Sequence, residues 1–323
     1  MDSKLALVLG ATGGVGGEMA RALVARGWRV QAMHRDPDRA KGSPAFEWVR
    51  GDAMNAGAVR AAAAGAALIV HAVNPPGYRN WAGLALPMLD ATIAAAAAEG
   101  ARVFFPGTVY NFGPETFPLV AEDAPQRPRT RKGAIRVEME RRLRESGVRT
   151  LILRGGDFFG PNVTAANSWF AGGMVRPGQP VRFVLDPARR GAGHNWAYLP
   201  DFVETAMRLL ERADELPDAA TFHFGGHWFE PGREMALAIA QAAGRRLPIW
   251  PFPHALLGLM APFVETLKEM REMRYLWRES LRLDNRRLVA FLGAEPHTPA
   301  VDAVRATLSG LGCLPGSFHI PPG

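Results

Sequence analysis

The chain of 323 residues carries a single cysteine, Cys313. It therefore has no internal disulfide, which fits a reducing compartment. No stretch of eighteen residues is apolar and free of charge, so no membrane-spanning helix is expected. The nearest approach, AAAAGAALIVHAVNPPG, ends in prolines. The N-terminal MDSKLALVLGATGG breaks into glycines too early for a signal peptide, and a cytoplasmic location is expected. His194, His223 and His227 lack the spacing of metal ligands, so no metal is expected. Neither sign of charge dominates: 38 basic and 31 acidic residues leave +7. The bases are spread along the chain with acids nearby, the pattern of a solvated surface rather than of a nucleic-acid or membrane partner. The densest cluster is RPRTRKGAIR, residues 127–136. There is no internal repeat.

Apolar runs do alternate with helical periodicity. KLALVL at 4–9 is a short strand. The helix EMARALVARG follows it, with Met19, Ala20, Leu23 and Val24 on one face and Gly27 as its cap. Further strands are read at WRVQAMH, 66–72, 102–106 and 149–156, and helices at 82–98 and 131–146. The alanine runs at 61–67 and 94–98 fit helices. Strands this apolar on both faces, alternating with helices, imply an α/β fold with a doubly wound parallel sheet. After residue 160 the rhythm gives way to glycine, proline and aromatics, then to a helix at 201–215, a strand at 220–226 and a mainly helical tail that includes 254–276. The expected division is a Rossmann domain of residues 1–160 plus about 191–226, and a smaller, mainly helical substrate domain of about 161–190 plus 227–323.

LVLGATGGVGGEMA sets Gly10, Gly13 and Gly16 between the first strand and the first helix. Glycines there let the backbone turn sharply and approach a pyrophosphate, and the helix N-terminus offers N–H groups and a positive dipole end. The G-x-x-G-x-x-G spacing resembles the loop of the short-chain dehydrogenase/reductase superfamily, in its extended and atypical branches, which include nucleotide-sugar epimerases and NmrA-like proteins. Four later segments resemble that family's landmarks in order: GDAMN at 51–55, FFPGTVYNFG at 104–113, LILRGGDFFGP at 151–161 and HNWAYLPDFVETAMRLLE at 194–211. A fifth, TFHFGGHWF, resembles the strand that returns to the substrate domain.

The resemblance implies a dinucleotide held by Gly10, Thr12, Gly13, Val15 and Gly16, with Asp52 and Ala53 at the adenine and His71 through Asn74, Ala72 included, at the nicotinamide. Where the family places an acid for the ribose 2′-OH, this chain has His34 followed by Arg35. A guanidinium there suits a 2′-phosphate, so NADP(H) is preferred and NAD(H) is the alternative. The family's Ser/Thr corresponds to Thr108, but Lys132 stands where its tyrosine belongs and Arg136 where its lysine belongs. Arg136 can still bond ribose hydroxyls. Lysine ordinarily titrates near about 10.4, and acid–base work at pH 7 needs a fall of about three units, about 4 kcal/mol. Burial beside Arg136 and an oxidised nicotinamide favours that fall. A charged Lys132 could equally polarise a carbonyl or hold an anion. Tyr110 offers another phenol.

Tyr78, Trp81, Asp157, Phe158, Trp169, Trp196 and Tyr198 fall where the family meets its substrate, and suit an apolar or aromatic small molecule. Three functions remain open: an atypical NADP(H)-dependent oxidoreductase for a small carbonyl or alcohol; a nucleotide-sugar epimerase or dehydratase, with Arg233 gripping a diphosphate; and a non-catalytic dinucleotide sensor. The resemblance implies a monomer or homodimer.

Overall fold

In the computed structural model, which describes residues 3–40, 44–75, 81–163, 168–254 and 271–315, the elements in chain order begin β1 (Leu5–Leu9), α1 (Gly14–Ala25), β2 (Arg29–His34), β3 (Glu47–Arg50), α2 (Ala56–Ala62), β4 (Ala66–His71), α3 (Trp81–Glu99), β5 (Arg102–Thr108) and β6 (Leu119–Val120). They continue with α4 (Arg131–Glu145), β7 (Thr150–Gly155), β8 (Asp157–Phe159), β9 (Val184–Asp186), β10 (His194–Tyr198), α5 (Leu199–Glu211), β11 (Ala219–His223), β12 (His227–Phe229) and α6 (Glu234–Ala242). β13 (Ile249–Pro251), β14 (Arg282–Leu283), α7 (Arg286–Leu292) and α8 (Ala300–Gly310) complete them.

The chain divides into two compact units. Unit 1 is Met1–Phe112, Gln126–Arg154 and Val203–Phe222; unit 2 is Gly113–Pro125, Gly155–Phe202 and His223–Gly323. Unit 1 holds a seven-stranded sheet in the order β11-β7-β5-β4-β1-β2-β3, and β1 pairs in parallel with both β2 and β4. Its central strands are buried on both faces. Leu7 and Leu9 of β1 share a core with Val59, Leu89, Phe105, Met139, Leu143 and Ile152, while Ala6 and Val8, on the opposite face, are also buried. The expected doubly wound sheet is therefore present. Strand order reverses direction between β1 and β4, so the ends of these two strands border the crevice where such sheets bind ligands.

Some expectations change. The alanine run at 61–67 is not one helix: α2 stops at Ala62, the chain turns at Gly65, and Ala66 opens β4. The helix expected at 201–215 is α5 followed by a 3-10 turn at Ala213–Glu215. Of the helix expected at 254–276, residues 255–270 lie outside the described residues, and Met273–Trp277 is a 3-10 turn. Unit 2 is comparable in length to unit 1, and its seven described strands form three small sheets, β12-β10-β8, β13-β9 and β14-β6. Because β8 and β10 pair with each other rather than extending the large sheet, residues 155–160 and 191–202 group with unit 2. Among the described residues no helix is long and apolar enough to cross a membrane.

Candidate functional site

β1 delivers the chain to Gly10, whose φ of +93° suits glycine. The Gly13 N–H returns to Gly10 O at 2.9 Å, and α1 starts at Gly14 without any side-chain cap on its first N–H groups. A Cβ on Gly16 would lie 2.2 Å from Gly10 O, so loop and helix touch backbone to backbone. That contact leaves a shallow cradle ringed by N–H groups, which fits a pyrophosphate. Thr12 and Val15 lie on its rim, and Ala72, which donates to Leu9 O at 3.0 Å, fixes the neighbouring end of β4.

After β2, Arg35 is exposed, and among the described residues the Arg35 and Arg39 guanidiniums have no polar partner. The acids nearby are engaged by Arg50, which bonds Asp38 at 2.9 Å and lies 3.8 Å from Asp36. His34 Nδ1 sits 3.1 Å from the Asp36 N–H. Asp52 accepts from the Met54 N–H at 2.9 Å, and Ala53 is buried beside it.

α4 places the altered pair. Thr130 caps it, accepting from the Gly133 N–H at 2.9 Å, a contact worth about 1 kcal/mol. A Cβ on Gly133 would stand 2.2 Å from Tyr110 O, so the first turn of α4 packs directly on the turn Val109–Asn111. Lys132 and Arg136 are both buried. Arg136 donates to Asn74 Oδ1 at 3.0 Å and Pro106 O at 3.4 Å, and its guanidinium lies 5.3 Å from the rings of both Trp81 and Phe105. Lys132 Nζ lies 5.9 Å from the Trp81 ring. Trp81 thus backs both cations. His71 is completely buried; burial first, then Arg136, pushes it down to about 3, so it is neutral. Thr92 donates to Met88 O at 3.0 Å, so it accepts from His71 Nδ1 at 2.8 Å; His71 Nε2 is a bare acceptor with no partner.

Sequence reasoning missed the groups that orient Thr108. Arg154 and Glu140 form a buried ion pair, with Nε–Oε1 at 3.0 Å and Nη2–Oε2 at 2.6 Å. Burial alone would raise the Glu140 carboxyl; Arg154, Gln126 and Arg144 outweigh it and hold it below its usual value. An ionised Glu140 only accepts, so Gln126 must present Nε2 to it (3.1 Å), and Gln126 Oε1 then receives Asn111 Nδ2 at 3.2 Å. Asn111 Oδ1 is left facing Thr108, whose hydroxyl donates to it at 3.5 Å. Thr108 has one proton and already accepts from the Tyr110 N–H at 3.3 Å, so one lone pair remains for an incoming donor. Glu140 lies on α4 four residues after Arg136 and Arg154 lies in LILRGG, but nothing in the sequence shows that the two meet.

The expected substrate residues are dispersed. Tyr78 lies outside the described residues. Asp157 binds His194 Nε2 at 2.8 Å, and Phe158 meets Phe202 edge-on at 4.9 Å. Trp169, Trp196 and Tyr198 belong to the buried core of unit 2. Unit 2 has its own cavity of about 450 Å³, lined in part by Asp186, Arg189, Phe252, His254, Arg274 and Trp277. Arg233 does not line it. Among the described residues no cluster of three His, Cys, Asp or Glu is placed for a metal.

Residues 10–166 match the family described as NAD(P)H-binding. The matched stretch includes the cradle, the Arg35 loop, Thr108 and α4. Solved structures extend the likeness in fold to the whole chain. The Bordetella bronchiseptica enzyme WbmH, in complex with NAD+, is 19% identical, with a TM-score of 0.68 over 96% of this chain and 98% of its own. UDP-N-acetylglucosamine 4-epimerase from Bacillus cereus is 15% identical, with a TM-score of 0.69 over 94% and 97%. A nucleoside-diphosphate-sugar epimerase from Staphylococcus aureus is 14% identical, with a TM-score of 0.68 over 94% and 99%. The likeness to these structures is one of fold. No curated protein matches the chain.

Proposed function

We propose that the chain is an atypical NADP(H)-dependent oxidoreductase acting on a small carbonyl or alcohol, with a lysine in place of the usual tyrosine. The carrying observation is the loop after β2, where among the described residues the Arg35 and Arg39 guanidiniums have no polar partner while Arg50 bonds Asp38 and lies near Asp36. Two available guanidiniums beside silenced carboxylates suit a 2′-phosphate far better than a bare 2′-OH. When bound, the nicotinamide supplies or accepts the hydride.

The chain's own groups then divide the remaining work. The Gly10–Gly16 cradle holds the pyrophosphate. Arg136, fixed by Asn74, Pro106 O and two aromatic rings, maintains positive charge beside the nicotinamide ribose. Thr108 has its proton committed to Asn111, so it accepts rather than donates. The donor to a carbonyl oxygen is Lys132, as an ammonium that polarises it or passes a proton. Reading Thr108 as acceptor and Lys132 as donor reverses the family's usual polarity at the first of these positions.

Two results are expected. Arg35→Ala weakens NADPH by about ten- to hundredfold, the loss of one charge-assisted contact, and leaves NADH unchanged in parallel calorimetric titrations. Equal losses for both cofactors would sink the 2′-phosphate assignment. Lys132→Met abolishes turnover in a screen of carbonyl substrates yet binds NADPH like the parent; unchanged turnover would remove Lys132 from the chemistry. Binding of NADPH without turnover of any carbonyl, alcohol or nucleotide sugar would favour the sensor, and turnover without net NADPH consumption would favour an epimerase.

A further inference from the structure

β9 and β13 pair in parallel, Leu185 against Trp250 and Asp186 against Pro251, and both strands end at the same wall of the unit 2 cavity. The chain continues from them as Pro187–Ala188–Arg189 and Phe252–Pro253–His254, and the turn Met273–Trp277 closes the opposite side. Trp277 is held rigidly: its ring stacks on His194 at 3.7 Å and meets Trp169 edge-on at 4.9 Å, and its carbonyl accepts from the Arg189 N–H at 2.8 Å. It is 2% exposed, and among the described residues its Nε1 has no partner. Arg274 Nε and His254 Nδ1 are likewise buried without a partner among the described residues. Buried polar nitrogens are nearly always satisfied in folded proteins. Three from residues lining one cavity, two of them obligate donors, point to an acceptor-rich ligand.

We propose that this cavity binds an anion, a carboxylate or phosphate carried on a flat apolar body, and that His254 takes up a proton as the anion enters. Arg274, Arg278 and Arg189 supply the charge against one carboxylate, Asp186. Phe252, Trp277, Pro187 and Pro251 supply the flat apolar walls. His254 Nε2 faces Pro187 O at 2.8 Å and donates to it, which leaves Nδ1 as the titrating atom.

The direction of the proton linkage follows from the surroundings. Burial, then Arg274 and Arg278, push His254 below its ordinary value, while Pro187 O and Asp186 pull the other way. Asp186 is itself raised by burial and restrained by the Ala188 N–H and Arg233. His254 is therefore neutral at pH 7 in the free protein. An anion among the guanidiniums cancels their field and adds an acceptor for Nδ1–H, so the imidazolium becomes the favoured form. Linkage then requires affinity to rise as pH falls, by at most about tenfold per unit.

The test uses the full chain, titrated calorimetrically with benzoate and separately with phenyl phosphate. Benzoate keeps a constant charge between pH 8 and 6, so it carries the pH arm. Binding of either probe is expected, and the stronger of the two tells carboxylate from phosphate. Arg274→Met should weaken it about tenfold or more, and Trp277→Phe, which keeps the ring and loses the donor, should weaken it less. Parent affinity for benzoate should rise toward pH 6, while His254→Asn binds with a flat profile. Failure of both probes, or equal binding by Arg274→Met, overturns the site; a pH dependence that survives His254→Asn overturns the proton uptake. NADPH titration should be identical in parent and Arg274→Met, so failure here is distinguishable from failure of the dinucleotide assignment.

Discussion

Replacing Arg154 with methionine is expected to lower the unfolding free energy of unit 1 by about 3–5 kcal/mol. Both partners of the Arg154–Glu140 pair are 1% exposed, and no solvent screens them. Removing the guanidinium leaves a buried carboxylate with Gln126 and Arg144 as its remaining side-chain partners, and it must then lose its charge or bring water inward. The double variant Glu140→Leu/Arg154→Met, which fills the space without charge, should recover most of the loss. Urea unfolding of the parent, both single variants and the double closes a mutant cycle. Independent, additive effects would show that the pair is not coupled. A protonated Glu140 can also donate, so Gln126 and Asn111 would be free to turn over and Thr108 would no longer be held as an acceptor.

Gly16→Ala should abolish dinucleotide binding and also lower the melting temperature, because the methyl meets backbone rather than a movable side chain. The added methyl would meet Gly10 O at 2.2 Å, so the loop must move away from the helix. The cradle loses roughly two charge-assisted N–H contacts, about 3 kcal/mol or more, a hundredfold or more in affinity. Titration with NADPH and thermal melting of the same sample separate the two effects. Tight NADPH binding by Gly16→Ala would mean that the pyrophosphate lies elsewhere.

What could be read from the sequence was whatever depends on neighbours along the chain. β1, α1, β2, β4, α3, β5, α4 and β7 announce themselves by apolar runs, helical spacing and glycine stops. β3, four residues with none fully buried, gave no apolar pattern to find. Residues 155–160 and 191–202 were grouped with the Rossmann domain, because sequence does not state that β8 and β10 pair with each other. The aromatics after residue 157 could not be sorted into wall and core, since burial is a property of packing; Trp196 and Tyr198 are core. Thr108, Lys132 and Arg136 came from the family resemblance. Asn111, Gln126, Glu140 and Arg154 did not, because residues 14 to 15 positions apart meet only once α4 lies beside β5 and β7. Arg274, His254 and Trp277 were hidden for the same reason.

The interleaving of unit 1 also matters for how the protein is made. Residues 203–222 supply α5 and β11, and β11 is an edge of the seven-stranded sheet, beside β7. During synthesis the outer side of β7, which ends at Gly155, stays unpaired until β11, which begins at Ala219, leaves the ribosome. An open apolar edge of that kind invites pairing with other chains. A fragment cut at residue 160 would freeze the protein at that vulnerable stage, although it holds almost the whole dinucleotide-binding sequence. The last twenty residues of unit 1 act as a closure that arrives late, and nascent-chain chaperones would find their substrate in the interval before it.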